Sequence, residues 1–434
     1  MSAAEPVSQS SEASPPQASV YSWYVLVVLA FVYLSNHIDR QILMVLLEAI
    51  KQEFGATDLQ MGLLTGPAFA LFYTFAGIPI ARWADRGPRT TIIVLASAIW
   101  SVMTALSGTA RGFISLALFR VGVGVGEAGC TPPAHSLIAD YFPPQQRARA
   151  MGIYGAGTQL GSAFGYLLGG WLFYYLGWRN TFVAVGVPGL LLSLLVFGTV
   201  REPVRGAIEA RSGVASQEHQ EPLRTSLLEL WRNRTFAWLQ VGAALHAVAG
   251  YGLAVWMVPF MIRVHGLEVH VIGTALGLIG LAVGIPGVLL GGFLCDRLAV
   301  RDARWYLWIP TLGALVGIPF TVSFLFLPDP TWALAAYSIH AMMNLTYVAP
   351  VFALMQGVVR LRMRSLAVAV HLFIANLVGL GLGPVIVGGF NDLLRPSLGD
   401  EAIRYTMLLA AVTNVAACAF YLLAARTVKQ DLKH

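Results

Sequence analysis

The chain has 434 residues, 57% of them hydrophobic and only 12% charged, about half the charged share of an ordinary soluble domain, which is roughly 25%. That balance excludes a water-soluble globular fold. Twelve apolar blocks follow one another along the chain, each of about 20 residues or more, the length a helix needs to cross a bilayer. In chain order they are predicted at Trp23 to Leu47, Leu59 to Ala81, Thr91 to Ala110, Phe113 to Ala139, Ala150 to Leu176 and Thr181 to Val200, then at Phe236 to Ile262, Val271 to Leu294, Trp305 to Leu327, Trp332 to Val359, Ser365 to Leu393 and Tyr405 to Ala425. Barrel strands are shorter and alternate in polarity, which these blocks do not.

Residues 1–20 are rich in Ser, Ala, Pro and Glu and contain no Lys or Arg, so they read as a disordered tail, not a secretory signal. The one long polar interruption, RGAIEARSGVASQEHQEP, lies within 201–234 and divides the chain into a half at 21–200 and a half at 235–434. Of the 28 Lys and Arg, twenty fall on one side of the predicted helices, six on the other, and Arg40 and Arg120 inside them. By the positive-inside rule the rich side is cytoplasmic, with both termini there. The net charge of +6 is thereby explained without nucleic acid. Cys130, Cys295 and Cys418 are scattered through apolar segments, so neither a disulfide framework nor a metal or cofactor site is expected.

The halves repeat. ARWADRGPRTT follows the second block and GGFLCDRLAVR the eighth, placing Asp85, Arg86 and Arg89 in one copy and Gly292, Asp296 and Arg297 in the other. The glycine ladders GSAFGYLLGG from Gly161 and GLGLGPVIVGG from Gly379 recur at a similar separation. Two parallel six-helix halves around a central cavity are the architecture such a repeat implies. These features resemble the major facilitator superfamily over essentially the whole chain. Three stretches are similar to its Spinster family: NHIDR in the first block, FRVGVGVGEAGCTPPAHSLIADYF in the fourth, and VREPVRGAIE after the sixth. His37 stands where that family usually has tyrosine.

Apart from Asp392, next to the last residue of the eleventh block, Asp39, Arg40, Arg120 and Glu127 are the charged residues inside the twelve blocks. Each costs on the order of 3 kcal/mol at a helix centre. Arg120, Gly124, Glu127, Thr131 and His135 recur at steps of three and four, so they share one helix face; Ser35, Asn36, Asp39 and Arg40 form a matching stripe on the first helix. Depth pairs Asp39 with Arg120, and the lean of helical side chains brings Arg40 toward Glu127. Two salt bridges that only pin the helices are the alternative, but buried ion pairs stabilise poorly. Four charges toward one cavity point instead to proton coupling, a role the Spinster resemblance also implies.

Apart from Asp392 at the end of the eleventh block, the second half offers no charge to the membrane interior. Tyr251, Trp256, Asn344, Tyr347, Phe352, His371 and Asn376, with Asn36, His37 and Thr131 from the first half, are the expected cavity lining. Asp85, Arg86, Arg89, Asp140, Asp296 and Arg297 are expected to gate, Asp85 at the start of the eleventh helix and Arg89 on Asp140, holding the inner ends of the halves together. The substrate expected is amphiphilic and lipid-like, of the lysophospholipid or sphingoid-phosphate class, moved with protons by a monomer among membrane lipids in a cell inner membrane. A symporter of small organic anions or sugar acids and a non-transporting ligand sensor remain as alternatives. No GxxxxGK[ST] phosphate loop is present, so ATP-driven pumping is not expected; a transporter reading also implies no enzymatic function.

Overall fold

The computed structural model describes residues 18–205 and 223–432. Most of the expected tail, the middle of the linker, Arg211 and Lys433 lie outside the described residues. Every regular element among them is a helix. The first half comprises α1 (Val20–Phe54), α2 (Asp58–Thr65), α3 (Pro67–Arg86), α4 (Arg89–Ser107), α5 (Phe113–Glu127), α6 (Thr131–Tyr141) and α7 (Pro144–Thr199). A short α8 (Leu223–Arg232) precedes the second half: α9 (Arg234–His265), α10 (Val269–Ile279), α11 (Ile285–Leu298), α12 (Trp305–Phe326), α13 (Pro330–Leu345), α14 (Val348–Gly357), α15 (Arg364–Ile374), α16 (Gly381–Leu398), α17 (Ala402–Met407) and α18 (Leu409–Asp431).

Among the described residues, ten continuous helical runs are long and apolar enough to cross a membrane. Two of them cross twice. At 1.5 Å per residue, the 56 residues of α7 and the 68 of Arg364–Asp431 would reach about 84 and 100 Å if straight, against about 30 Å of hydrocarbon. Each instead turns at a glycine in the left-handed region, Gly177 (φ 72°) and Gly399 (φ 58°), where other residues are strained. Twelve crossings result.

Several crossings are built from two pieces. The fourth is interrupted between Glu127 and Thr131, so it is not the single helix expected at Phe113 to Ala139. The eighth and eleventh carry π-helical segments at Gly280–Gly284 and Ala375–Leu380. The first helix runs seven residues beyond the expected Leu47, to Phe54, where Gly55 caps it at φ 60°; those residues prove important below.

The repeated glycine ladders pack equivalent helix pairs. Gly161, Gly165 and Gly169 lie against Leu34, Gln41 and Ile42 of α1, while Gly379 and Gly383 lie against Ala247 and Val248 of α9. A Cβ at Gly161 would sit 2.6 Å from the Leu34 carbonyl oxygen, so the missing side chain sets the helix spacing.

The apolar core is distributed unevenly between the two ends. At the end carrying Asp85 and Asp296, hereafter the basic end, each half has its own cluster: Val25, Trp100, Phe142 and Tyr154 in the first, which reaches the second half at Leu380 and Tyr251, and Phe236, Leu307, Val351 and Tyr421 in the second. At the opposite end one cluster runs through both halves, joining Leu46, Met61 and Phe182 to Trp256, Phe260 and Phe324. The halves are fused there.

Candidate functional site

The four central charges all come from α1 and α5. The guanidinium of Arg40 donates from Nε to Glu127 Oε2 at 2.6 Å, and Arg120 donates to Asp39 Oδ1 at 3.2 Å. The hydroxyl of Thr104, on α4, donates to the other Asp39 oxygen. Arg40 also lies 4.8 Å over each of the Phe69 and Tyr73 rings of α3, a cation–π contact strengthened by desolvation. Asp39, Arg120 and Glu127 are buried, whereas the Arg40 side chain is 20% exposed. Arg120 Nε and Glu127 Oε1 are buried and have no hydrogen-bond partner among the described residues.

A cavity of about 170 Å³ lies in front of these pairs, lined by both guanidinium groups and by His37, Phe69, Thr158 and Tyr251, but not by either carboxylate. The arginines thus face the cavity, and Asp39 and Glu127 stand behind them. An anion entering the cavity meets positive charge first and competes with the carboxylates for it. A second cavity of about 190 Å³ adjoins it between α7, the π segment at Gly280–Gly284 and α13.

The other expected lining residues are distributed differently. Asn36 is buried and lines neither cavity, and Thr131 opens α6 beyond the break. Trp256 lines neither cavity: it is fully buried, its indole donates to the Pro384 carbonyl at 2.9 Å, and its ring abuts Gly388. Its role is packing at the opposite end. Tyr347 packs on His246 with ring centroids 4.2 Å apart, His246 Nε2 lies 3.3 Å from the Asn344 carbonyl oxygen, and His371 contacts Phe352 and the Gln240 carboxamide. Asn376 donates to the carbonyl one helical turn earlier. Among these second-half residues only Tyr251 reaches the first cavity.

At the basic end, Arg89 is buried and pairs with Asp140, and also with Glu202 at 2.7 Å. Arg89 and Asp140 belong to the first half and Glu202 to the start of the linker, so these pairs tie α4 and α6 to the segment after α7 rather than to the second half. Burial opposes ionisation of Glu202, but hydrogen bonds from the Thr90 amide, Arg89 and the Thr90 hydroxyl outweigh it and hold the carboxyl below its usual range. Asp85 and Arg86 are exposed; the Asp85 carbonyl, not its carboxylate, accepts from Arg205. Asp296 and Arg297 are exposed too, with Arg297 over the Phe293 ring. The expected contact of Asp85 with the eleventh helix is not formed.

The cluster that does join the halves is at the opposite end. Arg263, on α9, donates to Glu48 at 2.6 Å and to both oxygens of Asp58 at 2.8 Å. Lys51 lies 2.7 Å from Asp58, Asn391 donates to Asp58, and Asp392 of α16 accepts from the Asp58 and Leu59 amides. Sequence reasoning missed it because Glu48 and Lys51 lie just past the expected end of the first helix and Asp58 just before the second. The i, i+3 spacing of Glu48 and Lys51, followed by the Thr57 cap, was the available signal.

The family model of the Major Facilitator Superfamily matches residues 29–384. A Mycolicibacterium smegmatis protein described as an MFS-type efflux pump is 34% identical over 412 residues, covering 95% of this chain and 94% of that protein. Protein spinster homolog 1 of Mus musculus is 28% identical, covering 95% and 82%. Among solved structures, a bacterial homolog to the human lysosomal transporter Spinster, in an inward-facing and occupied conformation, aligns with a TM-score of 0.85 at 36% identity, covering 95% of this chain and 99% of that one.

Proposed function

Because the chain belongs to the major facilitator superfamily and is a transporter of Spinster type, we propose that it moves an amphiphilic, lipid-like substrate by alternating access coupled to protons. The observation that carries this reading is the layering of the central site, with Arg40 and Arg120 facing the cavity and Glu127 and Asp39 behind them. An anionic headgroup engaging the arginines leaves a buried carboxylate without its partner, and a proton neutralises such a charge more cheaply than the apolar surroundings tolerate it. Headgroup and proton thereby become linked. The apolar wall opposite the arginines suits a hydrocarbon body of the lysophospholipid or sphingoid-phosphate class. By the positive-inside rule the basic end is cytoplasmic in a cell inner membrane, with both termini there. The shared core and the Arg263 cluster at the opposite end support an inward-facing state.

The test is uptake into proteoliposomes under an imposed pH gradient, with labelled lysophosphatidic acid, sphingosine phosphate and gluconate offered separately. Gradient-dependent accumulation of one of the amphiphiles, abolished by a protonophore, is the expected result. Accumulation of gluconate alone would replace the lipid reading by a sugar-acid symporter, and uptake indifferent to the gradient would remove proton coupling.

A further inference from the structure

The two adjoining cavities meet at shared residues. Gln41 of α1 and Ser162 of α7 line both, and Gln41 Nε2 donates to Ser162 Oγ at 3.3 Å. The Gln41 carboxamide oxygen is buried and has no hydrogen-bond partner among the described residues, a deficiency that costs about 1–3 kcal/mol unless something supplies a donor. On α7, Thr158 and Ser162 face the first cavity, while Gln159, Ser162 and Tyr166 face the second. The second cavity is otherwise mostly apolar, with Ala254, Leu276, Ile279 and Leu345 among its walls. Its far side is the π-helical segment, where Gly280 and Gly284 leave room; a Cβ at Gly284 would lie 3.1 Å from Gln159 Oε1. A charged chamber, a polar neck and an apolar chamber therefore follow in order, with Arg40 and Gln41 consecutive in the chain.

Resting on the transport reading above, we propose that Gln41, assisted by Ser162 and Gln159, is a specificity-determining neck that selects amphiphiles carrying a hydrogen-bond donor, a hydroxyl or an amide N–H, within a few atoms of the anionic head. The head occupies the arginine chamber, the donor satisfies Gln41 Oε1, and the hydrocarbon enters the chamber beside Gly280–Gly284. A plain alkyl phosphate fills both chambers but leaves the neck unsatisfied. Sites built to hydrogen-bond a substrate group discriminate strongly against analogues that lack it, because their own polar atoms are then stranded.

The experiment measures binding of tritiated oleoyl lysophosphatidic acid, which has a glycerol hydroxyl beside its phosphate, and its displacement by oleyl phosphate, which has none. Purified full-length protein and the variants Gln41→Leu, Gln159→Leu and Ser162→Ala are compared, each first checked for a monodisperse elution profile. The unmodified protein is expected to prefer lysophosphatidic acid at least tenfold. Gln41→Leu should remove that preference, because it loses the hydrogen bond to lysophosphatidic acid and no longer strands a polar atom against oleyl phosphate, whose affinity should not fall; Gln159→Leu and Ser162→Ala should reduce the preference in part, and carry the test if Gln41→Leu does not fold. Equal affinities in the unmodified protein, or variants that weaken both ligands alike, overturn the neck while leaving the transport reading standing. Binding of neither phosphate overturns both.

Discussion

The central cluster at Asp39 and Glu127 and the end cluster at Asp58 use the same chemistry, arginine on buried carboxylate, but join different segments. In the central cluster both partners of each pair lie in the first half. In the end cluster Arg263 of the second half holds Glu48 and Asp58 of the first. If the halves rock against each other as units, the central pairs persist through the motion and are rearranged only by what enters the cavity. The Arg263 pairs must break each time that end opens. Location relative to the seam thus separates a site from a latch, although the residue types are alike.

The largest effect that sharpens this contrast is expected from Arg263→Ala. Removing one partner of a buried pair costs about 3–5 kcal/mol, and here the cost falls on the state closed at that end. In a cysteine-free background, labelling from the opposite end of a cysteine placed at Thr65, which lines the first cavity, should rise at least tenfold; unchanged labelling would deny the latch. Gly388→Ala comes next. Its Cβ would collide with the Asp58 carbonyl and lie 2.8 Å from Trp256, so overpacking by about 1–3 kcal/mol should part α2 from α16 and raise the same labelling severalfold. The smallest is Glu202→Gln at the basic end, a loss of about 1 kcal/mol in thermal or denaturant stability at neutral pH. The Glu202 carboxyl is held below its usual range, so its contribution is present above the unfolded value of roughly 4.3 and is lost as pH falls through the lower folded value. The difference between Glu202→Gln and the parent should therefore shrink in acid, and labelling at Thr65 should not change, because the Glu202–Arg89 pair involves no residue of the second half.

The fold and the central pairs were legible because each leaves a local trace. Twelve apolar blocks and two glycine ladders fix helices and their neighbours, and an Asp-Arg pair inside a block is too costly to be incidental. The end cluster was not legible for the opposite reason: at a helix end charge is ordinary, and nothing near Arg263 in sequence announces Glu48 or Asp58 as partners. Trp256 misled because an aromatic on an apolar helix serves packing as readily as binding, and only the Pro384 carbonyl and Gly388 beside it decide the matter. Asp85 misled because its motif was read as a contact between halves, whereas the structure pairs the buried charge of that motif, Arg89, with Asp140 of the same half and Glu202 of the linker.

The central claim is that Asp39 and Glu127 carry the proton while the arginines before them carry the substrate. Its most direct test compares two activities in the same proteoliposomes, substrate exchange at equal pH and substrate accumulation driven by a pH gradient, for Asp39→Asn, Glu127→Gln and the double variant. Amide replacements keep the shape of the site and remove its titration, so exchange should persist while gradient-driven accumulation falls at least tenfold in each single variant and vanishes in the double. Accumulation by the double variant in response to the gradient, at the parent level, would contradict the account and reduce both pairs to structural braces.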